Sequence, residues 1–326
     1  MTMHRSLLAP LLVLPLLAAG SARAAEPWLA DGAFLRDLSI LQQGMAERVA
    51  ASRVVRKAAR QLEKEDAFRM VLSELEGSGV PEEYVRAVFF EPGPQVLEEV
   101  VARFSSPGIV RTDEELRQIL EGRIARGASF YLENKALLAR IVERYGVDPF
   151  LLVAVAGVES RYGARAVQYP VFDALYTALL RVKGRADFAA HELAALLRIC
   201  RAEDIHPGSI GGSYAGAFGF TQFMPSSFLA YAVDFDGDSK RGWTSWPDAL
   251  ASTANYLRQN GYKPKGGFSR GGAVWKSIYA YNHSDKYVRE VLKLRSDIIQ
   301  RLPPEERPAP PPAPKKPPKK KPTHRR

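Results

Sequence analysis

This sequence predicts a mainly α protein with few, short strands, on three observations. Apolar residues between about positions 31 and 301 recur at three- and four-residue spacing, the repeat of one helix face. Alternation of period two persists nowhere, so extended strands have no signature. Between the periodic stretches stand glycine and proline clusters of the kind that stop one helix and start the next. No internal repeat accompanies them.

The chain opens with a secretory leader over residues 1–24. Arg5 supplies the charged start, residues 7–19 the apolar run, and Ala22-Arg23-Ala24 the small-residue cleavage site. The alternative is an uncleaved anchor, for which the apolar run is short. No cysteine stands near the cleavage site to carry a lipid. Residues 25–110 read as an N-terminal helical lobe. Phe34, Leu35 and Leu38, then Val49, Val54, Val55, Ala58 and Leu62, then Phe68, Val71, Leu72 and Leu75 mark its helix faces. Glu76-Gly77-Ser78-Gly79-Val80-Pro81 ends a helix there, and Glu91-Pro92-Gly93-Pro94 is a second break.

Residues 111–302 form the second region. Positions 113–145 are amphipathic and predict two helices joined near Gly127. Gly146-Val147-Asp148-Pro149 stops that stretch, and Pro149 opens an apolar helix over 149–158. Residues 193–201 are helical, Pro225-Ser226-Ser227 starts a further helix, and 208–219 and 263–272 are glycine-rich loops. Residues 303–326 are proline- and lysine-rich and predict an extended, disordered tail.

The net charge of +10 is unevenly placed. The tail holds eight basic and two acidic side chains, and the leader two basic ones, which leaves +2 for the folded part. A basic folded surface is therefore not predicted, and nucleic-acid binding is not expected. The tail reads either as a contact to an anionic cell-wall polymer or membrane surface, or as a solvated spacer. Cys200 is the sole cysteine, which excludes an intramolecular disulfide, and its helical setting suits a small buried residue.

The chemistry concentrates in Gly157-Val158-Glu159-Ser160-Arg161-Tyr162-Gly163. Glu159 ends the apolar run. A desolvated carboxyl there has a raised pKa, as a general acid near neutrality needs. The alternative is an exposed glutamate just past a helix end, paired with Arg161. Residues 209–227 follow, with glycines that let backbone approach a ligand and with Gln222, whose amide suits sugar hydroxyls or N-acetyl groups. Tyr279-Ala280-Tyr281-Asn282-His283-Ser284 is a second polar-aromatic cluster. Asp234-Phe235-Asp236-Gly237-Asp238-Ser239-Lys240 places oxygens at calcium-loop positions 1, 3 and 5, with the Lys240 carbonyl at 7. Ser239 stands where glycine is expected and Ser245 where a glutamate closes the standard loop, while Asp248 can close a longer one. An acidic turn is the plainer reading. Serine-triad and zinc signatures are absent, and of the nearest acidic residues, Asp173, Glu203 and Asp204, none has a setting like that of Glu159.

Together these residues resemble the lytic murein transglycosylase B family, whose catalytic core is lysozyme-like. The resemblance covers about residues 68–302 and rests on 157–163, Asp173-Ala174-Leu175, Arg185, 212–227, 234–238, Ala254-Asn255-Tyr256 and 281–284, in family order and spacing up to Tyr256. It implies cleavage of the MurNAc-β-1,4-GlcNAc bond of peptidoglycan with formation of a 1,6-anhydro-muramyl end, Glu159 acting as acid and then base. It implies Ser160, Arg185, Ser213, Gln222, Tyr256, Tyr281 and Asn282 as substrate-binding residues, and Asp234, Asp236, Asp238, Lys240 and Asp248 as an EF-hand-like Ca2+ loop. Gly184 replaces an arginine that the family often has beside Arg185. The resemblance further implies a periplasmic, monomeric enzyme that acts on glycan strands and needs no cofactor for its chemistry. A hydrolytic muramidase and an inactive peptidoglycan-binding scaffold are the rival functions.

Overall fold

The computed structural model describes residues 32–106, 112–165, 167–264 and 266–308. The leader and tail residues 309–326 lie outside the described residues. Packing divides the chain into two units, Met1–Leu62 and Glu63–Arg326. The expected lobe of residues 25–110 thus enters the second unit from Glu63 onward. In the first unit the described element is helix α1 (Gly32–Glu74), which runs on past the division.

The second unit is helical, as the periodicity predicts. It contains α2 (Glu82–Phe90), α3 (Glu98–Ser105), α4 (Asp113–Glu133), α5 (Lys135–Tyr145), α6 (Pro149–Ser160), α7 (Val171–Arg181), α8 (Ala186–Glu203), α9 (Pro225–Tyr231), α10 (Trp246–Gln259), α11 (Ala273–Tyr281) and α12 (Asp285–Arg301). The strands are two residues long: β1 (Tyr169–Pro170) pairs antiparallel with β2 (Gly211–Gly212).

Local signals explain the boundaries. Thr112 and Glu115 form a capping box at the start of α4. The Asp148 carboxylate accepts from Leu151 N, and Pro149 fills the first position of α6. Ser284 caps α12 by accepting from Tyr287 N. The joint expected near Gly127 falls instead at Asn134, between α4 and α5. Gly127 lies inside α4 for a packing reason. A Cβ there would stand 2.4 Å from the Tyr162 hydroxyl and 2.7 Å from Ile298 Cδ1.

Two apolar cores result. One gathers α4, α5, α6, α10, α11 and α12, with Leu151, Leu152, Val153, Ala154, Val155 and Ala156 of α6 fully enclosed. Burial of each leucine contributes about 1.5–3 kcal/mol, so α6 is anchored at the centre. Arg295 of α12 ties onto its first turn at 2.5 Å from Asp148 Oδ2. The other core joins the end of α1 (Ala67, Phe68, Val71), and Leu75 just past it, to α2, α7 and α8. Cys200 lies in this core, its thiol pushed up to about 12 by burial, consistent with a packing role. Part of the expected tail is structured: Pro304–Glu306 form a 3-10 turn, Glu306 pairs with Lys135, and Arg307 donates to the Leu302 and Gln300 carbonyls.

Candidate active site

The last turn of α6 presents Glu159. The helix stops at Ser160 because Arg161 and Tyr162 turn left-handed, at φ 53° and 57°. For non-glycine residues that conformation is costly and is kept only where the surroundings enforce it. The enforcing contacts are visible. Ser160 Oγ donates to the Ala156 carbonyl and accepts from Gly163 N. Tyr162 folds back into the core, and its hydroxyl donates to the Arg123 carbonyl at 3.1 Å. That hydroxyl fills the space above Gly157, where a Cβ would stand 2.4 Å away. Gly157 is therefore a close-packing residue two positions before the carboxylate.

Glu159 is half-buried, and its Oε1 accepts from the Tyr287 hydroxyl at 2.5 Å. Burial pushes its carboxyl up to about 7; the Tyr287 hydrogen bond and the Arg165 charge pull the other way, and the Glu290 charge adds to the rise. The expected alternative, an exposed pair with Arg161, is not what forms: among the described residues Glu159 has no ion pair with Arg161. A carboxyl near 7 holds a proton and can lose it at neutral pH, which serves proton transfer in both directions.

Tyr287 and Tyr281 stand with parallel rings, centroids 6.4 Å apart. Burial, and after it the Glu159 charge, holds both hydroxyls well above the usual tyrosine range. They stay protonated and serve as donors. Tyr281 donates to the Thr221 carbonyl at 2.6 Å, next to Gln222. Sequence reasoning missed Tyr287. The available signal was its position on the apolar face of α12 with Val288, Val291 and Leu294, which turns a phenol inward. Arg165 and Glu290 were missed as well. Glu290 is held by Arg123 at 2.5 Å.

A cavity of about 280 Å³ is lined by Ser160, the residue after Glu159, with Arg165, Ser213, Gln222, Phe220 and Trp243 among others. Gln222 is held at φ 51°, with Nε2 donating to the Gly219 carbonyl at 3.0 Å. Ser213 Oγ accepts from Ala217 N. The structure thus brings Ser160, Ser213 and Gln222 to one cavity, with Ser160 adjacent to Glu159 in the chain. Tyr256 does not line it; it is buried, with its hydroxyl donating to the Ala280 carbonyl at 2.8 Å. Asn282 is exposed at the end of α11. Arg185 is not brought to this cavity. It lines a neighbouring one of about 350 Å³ with Arg103, Phe104, Phe188 and Tyr214, its guanidinium over the Phe104 and Phe188 rings.

The acidic loop is compact. Carboxylate oxygens of Asp234, Asp236, Asp238 and Asp248 all lie within 4.8 Å of one another. Ser239, in the glycine position, takes the left-handed turn at φ 70°. Asp234 accepts from Gly237 N and Ser239 N, and Lys240 N donates to Asp238. Asp248 is buried, accepts from Phe235 N and Gly242 N at 2.7 Å each, and has its carboxyl raised first by burial. Four hard carboxylates at this spacing repel one another, and the donor set suits a divalent cation such as Ca2+.

Comparison with known proteins places these features in a lineage. Residues 63–271 match the family model described as the transglycosylase SLT domain. Over 144 residues the chain is 37% identical to membrane-bound lytic murein transglycosylase B of Escherichia coli (strain K12); the match covers 44% of this chain and 40% of that protein. The matched part thus spans well under half the length of that relative. SltB3 of Pseudomonas aeruginosa, solved in complex with NAG-NAM-pentapeptide, is similar in structure at a TM-score of 0.62 and 28% identity, over 73% of this chain and 79% of that one. The Escherichia coli lytic transglycosylase Slt35, solved in complex with calcium, shares the fold at a TM-score of 0.61 and 24% identity, over 72% and 92% of the chains.

Proposed function

We propose that this chain, which belongs to the transglycosylase SLT domain family, is a peptidoglycan lytic transglycosylase with Glu159 as its acid and base. The observation that carries this reading is a carboxyl near pKa 7 that accepts from Tyr287, one residue before Ser160 in the wall of a polar cleft. Protonated Glu159 gives its proton to the glycosidic oxygen as the bond to the muramyl C1 breaks. The C1 centre gains oxocarbenium character, which neutral dipoles and the substrate's own N-acetyl group stabilise. The muramyl 6-hydroxyl then bonds to C1, and ionised Glu159 takes its proton. The products are a 1,6-anhydro-muramyl end and a free GlcNAc end. No water is consumed, and Glu159 returns to its starting state.

Hydrolysis is the second reading. Inverting glycosidases use a second carboxylate to activate water. Glu290 is the other carboxylate that acts on Glu159, and its pairing with Arg123 occupies it, which favours the intramolecular route. An inactive scaffold would have no use for a tuned carboxyl. The assignment is tested with Glu159→Gln on purified sacculi: release of anhydro-muropeptides should cease with the fold intact, and substantial remaining activity would sink it.

The site residues take graded roles in this proposal. Ser213 and Gln222 face the saccharide, with Asn282 at the exposed end of the groove. Ser160, Tyr256 and Tyr281 hold the groove walls through main-chain hydrogen bonds. Arg185 acts in the neighbouring cavity. Asp234, Asp236, Asp238, the Lys240 carbonyl and Asp248 would hold Ca2+, which fixes the loop ahead of α10 and takes no part in the chemistry. The enzyme would be exported to the periplasm after loss of residues 1–24 and act as a monomer, with residues 111–302 as its catalytic domain. Its basic tail would contact anionic wall or membrane surfaces. No helix among the described residues is long and apolar enough to cross a membrane.

A further inference from the structure

The first unit of the chain holds a surface that the proposed reaction does not use. Within α1, Ala51, Val55, Ala58 and Leu62 recur at intervals of four, three and four residues, so they share one helix face. Arg53, Arg56, Lys57 and Arg60 form a second stripe. The two stripes are out of phase by two residues, which at 3.6 residues per turn puts them on opposite faces. Val55 and Leu62 are each 67% exposed. Residues 48–62 carry five cations and no acidic side chain.

We propose that residues 51–62 of α1 dock on an anionic lipid surface, the apolar face set into the headgroup boundary and the cations directed to lipid phosphates. Low net hydrophobicity with a Lys/Arg-rich polar face is the composition of helices that lie on a membrane rather than span it. Two alternatives fit less well. A second copy of residues 48–62 would bring ten cations together without a counter-charge. A purely polyanionic polymer would use the arginines and leave the exposed Val55 and Leu62 without a role. The inference is independent of the catalytic reading.

The test uses the full chain, so that the basic tail is present throughout, and compares phosphatidylglycerol with phosphatidylcholine vesicles by co-sedimentation. One variant carries Val55→Asp with Leu62→Asp; another carries Arg53→Gln, Arg56→Gln and Arg60→Gln. The unaltered chain should bind phosphatidylglycerol and not phosphatidylcholine. Each variant should bind about tenfold or more weakly, since every cation near an anionic surface adds to the attraction. Sacculus turnover in solution should be unchanged and reports that the variants fold. Variants that bind as the unaltered chain does would assign the attraction to the tail and overturn the proposal. Equal binding to both lipids would overturn it too, as would a dimer in light scattering that the Val55 and Leu62 changes abolish.

Discussion

The Tyr287 hydroxyl donates to Glu159 Oε1 at 2.5 Å, across the junction of α12 and α6. This bond has a definite sign. It favours the ionised carboxylate and opposes the burial that raises Glu159 to about 7. Tyr287→Phe should therefore move Glu159 further up. A hydrogen bond to a charged group is worth about 1.5–3 kcal/mol, so the alkaline limb of the activity profile should shift upward by about one pH unit or more. A pH–rate profile checks it. A lower rate with an unmoved limb would reduce Tyr287 to packing.

The same raised pKa makes a stability prediction that needs no substrate. A carboxyl at about 7 in the fold and 4.5 when unfolded opposes folding once it must ionise. The penalty is absent below 4.5, grows as pH rises, and is complete above about 7. Glu159→Gln removes the ionisation. The variant should melt with the unaltered protein near pH 4 and later than it at pH 8, by an amount on the order of 2 kcal/mol. Thermal unfolding at the two pH values decides this.

Gly127→Ala should destabilise the protein, although a glycine-to-alanine change inside a helix ordinarily stabilises it by about 1 kcal/mol. The added Cβ would stand 2.4 Å from the Tyr162 hydroxyl and 2.7 Å from Ile298. Overpacking of this kind costs about 1–3 kcal/mol. Chemical denaturation gives the sign directly.

In the acidic loop, two aspartates should separate by function. With Ca2+ added to chelator-stripped protein, the melting temperature should rise, because a ligand that binds only the folded state stabilises it. Asp238→Asn should remove that rise and leave the stripped protein's melting temperature near that of the unaltered chain. Asp248→Ala should also destabilise the stripped protein, by about 2 kcal/mol or more, since it strands Phe235 N and Gly242 N. Melting curves with and without Ca2+ separate the two.

The helical class and the carboxylate at the end of the apolar run were legible in the sequence because both are local. Asp148-Pro149 and Gly146 announce their boundaries within a few positions. Gly127 was misread as a joint for the same reason. A glycine that breaks a helix and a glycine that admits a tyrosine from 35 residues away look alike in the chain. Tyr287 was not legible as a partner of Glu159, 128 positions distant, because nothing local records which way α12 turns its phenol. Arg185, expected to contact substrate, lines a second cavity with its guanidinium over the Phe104 and Phe188 rings, a placement no local signal records. The leader and the last eighteen residues lie outside the described residues, so those readings stand on composition alone.

Glu159 acting alone as acid and base is the central claim, and its product tests it most directly. Mass spectrometry of the muropeptides that the purified enzyme releases from sacculi separates the two outcomes. Intramolecular ring closure predicts 1,6-anhydro-muramyl ends, lighter by one water than the hydrolysed form. Muramyl ends that carry the added water would contradict it.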